Sequence, residues 1–174
     1  IPIRNIWYML LYVLKRWDLK DNWKSEVENA PSINYLLALI LGEQIQQRMR
    51  IGLGKSYSKI ENKIHGLRGR VDFNKSLKLM SLPQGKTVSR YHIYSKNVLK
   101  NQIIKSTLHQ MLQFGNFGVD KNKRKDLKNN LRIIIQKMAG IDIIDITPNQ
   151  IWREHLHQRD RDYSFMLALC YILI

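Results

Sequence analysis

Between residues 55 and 94 the chain reads KSYSKIENKIHGLRGRVDFNKSLKLMSLPQGKTVSRYHIY. The apolar positions in this stretch follow no helical period, and Gly66, Gly69, Pro83 and Gly85 cut it into short pieces. Strands fit it better, over 55–64, 70–73 and 86–94, with a tight Gly66-Leu67-Arg68-Gly69 turn between the first two. In the last of these strands Val88, Arg90, His92 and Tyr94 share one face, and Thr87, Ser89, Tyr91 and Ile93 the other. Neither face is cleanly apolar, which predicts a small exposed sheet or a partial barrel.

On either side of this stretch the spacing turns helical. Upstream, Ile3, Ile6, Trp7, Leu10, Leu11, Leu14 and Trp17 recur every three to four residues behind Pro2, predicting a helix over 2–17. A polar loop over 18–30 follows. Pro31-Ser32 then opens a second helix over 32–51, with Gly52 as its C-cap. Downstream, residues 96–174 are mainly helical: one helix runs from Val98 to about Phe114, a second covers 120–138 behind Asp120, and a third starts at Thr147-Pro148. A final apolar helix follows a polar 155–162 loop, and 141–146 reads as a short strand. The fold class is therefore α+β, several helices packed around a small, partly barrel-like antiparallel sheet.

The 174 residues carry 29 Lys and Arg against 14 Asp and Glu, a formal charge of +15. The excess is concentrated: 48–137 holds 21 basic and 4 acidic residues, while the rest holds 8 basic and 10 acidic. A segment so basic attracts phosphates or an acidic protein face. The single cysteine, Cys170, lies in an apolar run, reads as packing and excludes an internal disulfide framework. The longest apolar run, 165–174, is about half of what a membrane-spanning helix needs, and no signal-peptide pattern opens the chain. These features predict a soluble cytoplasmic protein. Because the chain starts at Ile1 and stops inside an apolar run, further protein is expected after Ile174.

Enzymatic motifs fail one by one. Gly54-Lys55-Ser56 and Gly85-Lys86-Thr87 end like a phosphate-binding loop, but Met49 and Met80 stand where that loop needs its first glycine. Glu61-Asn62-Lys63, Asp18-Leu19-Lys20 and Asp126-Leu127-Lys128 match half of a metal-dependent nuclease motif without a partner acid to complete it. Glu154, His155, His157, Asp160 and Asp162 cluster without a standard metal-ligand spacing, so charge pairs in a solvated loop explain them better. His65 and His92 read as structural. No catalytic residue and no metal ligand is assigned. What remains is the basic turn, with Lys63, Arg68 and Arg70 on or beside it and Tyr57, Tyr91 and Tyr94 on neighbouring strands. Such a surface can hold guanidinium groups against another protein's carboxylates or against phosphates. Lys55, Lys59, Lys63, Arg68, Lys86 and Arg90 are the candidates for direct DNA contact from the basic sheet.

The order of several motifs resembles the McrC family, the nuclease subunit of McrBC modified-cytosine restriction systems. The resemblance rests on Ile1-Pro2-Ile3-Arg4-Asn5-Ile6-Trp7-Tyr8-Met9-Leu10, on Gly66-Leu67-Arg68-Gly69-Arg70-Val71-Asp72-Phe73, on Gly85-Lys86-Thr87-Val88-Ser89 and on Asn101-Gln102-Ile103-Ile104-Lys105-Ser106-Thr107-Leu108. Ile146-Thr147-Pro148 and Arg161-Asp162-Tyr163 extend it across nearly the whole chain. Ser95-Lys96 stands where the family usually has an acidic pair, and Gln102 where it has an arginine. The resemblance implies that residues 1–174 are the N-terminal region that docks on a hexameric McrB-like AAA+ GTPase and stimulates it, with a PD-(D/E)xK nuclease domain beyond residue 174. It places GTP and Mg²⁺ in the motor and Mg²⁺ in the nuclease domain, gives this chain no cofactor of its own, and brings DNA in through the complex. Lys63, Arg68, Gly69 and Arg70 are then the expected motor contacts.

Overall fold

The computed structural model describes residues 2–157 and 159–174. Ile1, which opens the first motif, and Gln158, inside the polar 155–162 stretch, lie outside the described residues. Two compact units emerge: a helical unit made of Ile1–Leu53 and Leu99–Ile174, and a sheet unit, Gly54–Val98.

The helical unit contains α1 (Ile3–Val13), α2 (Lys24–Asn29), α3 (Ile33–Ile51), α5 (Leu99–Phe114), α6 (Lys121–Lys137), α7 (Pro148–His157) and α8 (Arg161–Leu173). Four of its helices, α3, α6, α7 and α8, start where side chains satisfy the free N–H groups of a first turn. Ser32 Oγ accepts from Tyr35 N at 3.1 Å, Asp120 Oδ1 from Asn122 N and Lys123 N, and Asp160 Oδ1 from Asp162 N at 3.0 Å. At α7, Gln150 N donates to Thr147 Oγ1 while Thr147 N donates to Gln150 Oε1, a reciprocal capping box. The apolar stripes of these helices merge into one core around Trp7, Leu11, Leu36, Ile40, Leu108 and Leu131. Trp7 meets Trp23 edge-on at 5.8 Å, and the Tyr163 hydroxyl donates to Asn101 Oδ1 at 2.8 Å in the interior.

Three expectations need correcting here. The first helix stops at Val13; Lys15 takes a positive φ of 53°, and Trp17–Leu19 forms a separate 3-10 turn. The polar 18–30 loop contains α2, anchored by buried Val27. The expected strand at 141–146 has no ladder partner, because side chains of α5 take up its backbone. Lys105 Nζ donates to the carbonyls of Met138 and Ile141, and Ser106 Oγ accepts from Ile144 N at 2.9 Å. In addition, α7 runs through His157 and so takes the start of the expected 155–162 loop.

The sheet unit contains β1 (Ser56–His65), β2 (Arg70–Val71), α4 (Phe73–Lys78) and β3 (Lys86–Ser95), in the antiparallel order β1-β3-β2. The α+β class and the small antiparallel sheet are those expected, and the strands fall within a residue or two of their predicted bounds. The sheet is open, with β1 and β2 at its edges, so the expected partial barrel goes no further than three strands. The connection from β1 to β2 is not a hairpin turn. Since β3 lies between the two strands, residues 66–69 must cross it, and they form a strap over its Thr87–Tyr91 face. Thr87 Oγ1 donates to the Gly66 carbonyl at 2.5 Å, and the Arg68 guanidinium lies 4.4 Å from the centre of the Tyr91 ring. Gly69 is demanded twice over. Its φ is +66°, and a Cβ built there would fall 2.4 Å from the Arg90 carbonyl oxygen.

Candidate functional site

Register places most of the basic candidates on one face of the sheet. Tyr57, Lys59, Glu61, Lys63 and His65 of β1 stand opposite Tyr94, His92, Arg90, Val88 and Lys86 of β3, and Arg70 of β2 stands opposite Arg90. Opposed residues share a face. This face therefore gathers Lys59, Lys63, Arg70, Lys86 and Arg90, tipped by the Tyr57–Tyr94 ring pair at 4.9 Å, with the Lys55 amine 5.7 Å from Tyr94. Arg68 and Gly69 belong to the strap on the other side. The expected motor contacts are thus split between the two faces, Lys63 and Arg70 on one and Arg68 on the other.

Not every cation on this face is available to a partner. Arg90 Nε pairs with Glu61 Oε2 at 2.5 Å and Arg90 Nη2 with Asp72 Oδ2 at 3.0 Å, while Lys75 Nζ takes Glu61 Oε1. The hydrogen bond from Lys75, followed by that from Arg90, holds the Glu61 carboxyl below its ordinary value, and Glu61 in turn raises Arg90. Glu61 is therefore the hub of a charge network. The same network occupies Asp72, whose other oxygen caps α4 by accepting from Lys75 N at 3.0 Å. No ion pair joins Asp72 to Arg70. Among the described residues Arg70 has no carboxylate partner, and it lines an open hollow with Phe73, Asn74 and Arg90.

The interior of the sheet unit is inverted. Val88 is its only buried apolar side chain among the described residues, whereas Ser76, Ser81, Thr87 and Ser89 are all buried. Each is satisfied by hydrogen bonding: Ser76 Oγ donates to the Asp72 carbonyl and accepts from Val88 N, Ser81 Oγ donates to the Ser76 carbonyl, and Thr87 Oγ1 meets Ser89 Oγ at 3.1 Å. The larger apolar residues face solvent instead. Leu67 is 75% exposed, Phe73 61%, Leu77 62%, Leu79 57% and Met80 74%. Sequence reading missed these as site residues: Leu67 fell in the expected turn, Phe73 was expected to end a strand but opens α4, and 74–85 carried no assigned element. The available signal was Asp72 followed by Phe73 and Leu77, an N-cap and two apolar residues one helical turn apart.

Elsewhere the chemistry is structural. Among the described residues no group of three or more His, Cys, Asp and Glu could hold a metal ion. Asp160 caps α8 and pairs with Arg48, Asp162 pairs with Arg16, and His155 bonds through Nδ1 to the Ser164 carbonyl while stacking on Trp152. Burial pushes the Cys170 thiol up to about 12, so it stays protonated and unreactive at neutral pH. No described helix is long and apolar enough to cross a membrane.

Fold and surface together define an α+β module with a packed helical unit and a basic sheet unit whose large apolar side chains stay exposed. The family model for "McrBC 5-methylcytosine restriction system component" matches residues 3–174, and the chain belongs to that family, as its motifs had suggested. It is 29% identical over 177 residues to the "Type IV methyl-directed restriction enzyme EcoKMcrBC" of Escherichia coli K12, covering 100% of this chain and 48% of that protein. In backbone it resembles a chain in the cryo-EM structure of the Thermococcus gammatolerans McrBC complex, with TM-score 0.67, 14% identity, and 97% of this chain and 49% of that one covered. A chain in a half-complex from a tetradecameric assembly of Thermococcus gammatolerans McrB AAA+ hexamers with bound McrC gives TM-score 0.64 at 14% identity, covering 98% and 42%. The chain spans about half the length of the curated relative it matches.

Proposed function

We propose that this chain is the docking region of a McrC-like restriction subunit. It seats on a hexameric McrB-like AAA+ GTPase, raises its GTP hydrolysis, and couples that hydrolysis to DNA cleavage by a nuclease domain of the full-length protein. GTP and Mg²⁺ would be held by the motor, and Mg²⁺ by the nuclease domain. The observation that carries this reading is the inverted sheet unit. A unit that satisfies its buried serines internally, yet leaves Leu67, Phe73, Leu77 and Met80 in water, with Phe73 lining a hollow beside an Arg70 that has no carboxylate partner among the described residues, is shaped for burial against another protein. Membership of a restriction-system family and likeness to a fold found in McrB hexamers with bound McrC support the choice of partner.

In this reading the strap and β2 act by position. A guanidinium presents a rigid fork that can bridge carboxylates or carbonyls, and orienting such groups around an attacking water accelerates phosphoryl transfer without new chemistry. Arg70 and Arg68 are the contributors, with Lys63 and the close-packed Gly69 shaping the surface around them. The test is to measure melting temperature, complex formation and GTP hydrolysis of the cognate hexamer with Arg68→Ala and Arg70→Ala. Folding and assembly should persist while stimulation falls. Unchanged stimulation by correctly assembled variants would remove this segment as the activating element.

A further inference from the structure

We propose that the outer face of α6 binds the phosphate backbone of double-stranded DNA. This helix carries seven cations (Lys121, Lys123, Arg124, Lys125, Lys128, Arg132 and Lys137) against one acid, Asp126. Its inner face is fixed by Leu127, Leu131 and Ile134 in the core. At about 100° per residue, Lys121, Lys125, Lys128 and Arg132 fall within an arc of about 60° on the other side, and Asp126 lies well off that arc. The four cations form a straight stripe roughly 17 Å long, from a rise of about 1.5 Å per residue.

Density and alignment of charge, seven cations to one acid on a single helix, separate this stripe from an ordinary lysine-rich surface. Elsewhere in the helical unit four cations find carboxylates: Arg16 takes Asp18 and Asp162, Lys24 takes Asp21, Arg48 takes Asp160 and Arg161 takes Asp18. Among the described residues no cation of α6 has an ion-pair partner. The helix even sets like charges four apart, at Lys121 and Lys125 and again at Arg124 and Lys128, an arrangement that destabilises an isolated helix. Uncompensated charge kept in one line fits a linear polyanion better than a folded acidic surface, and DNA is the polyanion that a restriction-system family handles. The sheet is the poorer candidate for duplex contact, because Glu61 and Asp72 neutralise Arg90 in the middle of its basic face.

The decisive measurement is duplex binding by the full-length protein without its motor, in EDTA, by fluorescence anisotropy from about 50 to 200 mM salt. Four phosphate contacts give a log–log slope of about −3.6 and an affinity loss of roughly 150-fold over that range. Replacing Lys121, Lys125, Lys128 and Arg132 together by alanine should leave the melting temperature unchanged or higher, lower affinity at 50 mM salt, and make the slope shallower by about 3 to 4. A Lys59→Ala, Lys63→Ala, Lys86→Ala triple variant should leave the slope as it was. An unchanged slope in the α6 variant, or a slope that falls only in the sheet variant, overturns the proposal. So does an α6 variant that binds duplex normally but fails to assemble with the motor, because that outcome makes the stripe a protein contact.

Discussion

The helical unit and the sheet unit are held together by opposite means. In the first, Trp7, Leu11, Leu36, Ile40 and Leu131 lose all contact with water, and internal polar groups such as Tyr163 with Asn101, and Lys105 with the Met138 and Ile141 carbonyls, are matched donor to acceptor. In the second, a ten-residue β1–β3 ladder and a serine-threonine network do the work of a core, while the large apolar side chains stay outside. A unit stabilised by burial gains little from a partner, whereas one stabilised by directional hydrogen bonds keeps its shape and still has apolar surface to lose on binding. Under the proposed function, the sheet unit is therefore the protein-contact surface and the helical core its scaffold.

The comparison can be broken first where burial should count most. Trp7→Ala removes a fully buried indole and its edge-on contact with Trp23, and should cost about 3–5 kcal/mol. The four tryptophans, at 7, 17, 23 and 152, all lie in the helical unit, so urea unfolding followed by their emission reports that unit alone. A loss under about 1 kcal/mol would mean that the helical core is not what stabilises it.

The sheet unit should instead fail at its strap. Gly69→Ala forces a Cβ against the Arg90 carbonyl at a left-handed φ, and should destabilise the unit by about 2–4 kcal/mol. Gly66→Ala meets nothing within 4 Å and carries the φ penalty alone, about 1–2 kcal/mol. Amide exchange along β3 measures both, with tryptophan emission unmoved. Equal effects of the two substitutions would show that the strap does not lie tightly on β3.

A subtler contrast concerns polar groups. Tyr163→Phe deletes the hydroxyl that donates to Asn101 and should cost the helical unit about 1 kcal/mol, read by the same urea titration. No change there would mean that this interior pair contributes fold specificity rather than stability.

Legibility in the sequence followed the same divide. The helices announced themselves because Ile3 to Leu14, Ile33 to Met49 and Leu127 to Met138 bury regular stripes, and because Ser32, Asp120 and Thr147 cap them. The strand at 141–146 was misread because alternation also describes an extended segment whose backbone is satisfied by Lys105 and Ser106, thirty-odd residues away in the chain. In the sheet unit the strands and the glycines were readable. Their order was not, since nothing local says that β3 inserts between β1 and β2 and turns an apparent hairpin tip into a strap. The basic candidates were found by charge. What charge could not tell is that Arg90 is neutralised by Glu61 and Asp72 while Arg70, two residues from Asp72, is left open.

The smallest effect tests the charge network of the sheet unit through pH. Hydrogen bonds from Lys75 and then Arg90 hold the Glu61 carboxyl below its ordinary value of 4.5. A carboxyl whose folded pKa is depressed contributes stability that is fully present above its unfolded pKa and is lost as pH falls through the folded one. The wild-type sheet unit should therefore weaken progressively below about pH 4.5, beyond whatever the rest of the chain does. Glu61→Gln keeps the shape of the side chain and its hydrogen-bonding capacity but cannot titrate, so its amide-exchange protection along β1 and β3 should follow a flatter profile in that window. Because Glu61 lies at the surface, salt should screen the difference, and the two profiles should draw together as ionic strength rises. Profiles that coincide at low salt would show that Glu61 is a solvated surface acid rather than the hub joining Lys75, Arg90 and, through Arg90, Asp72.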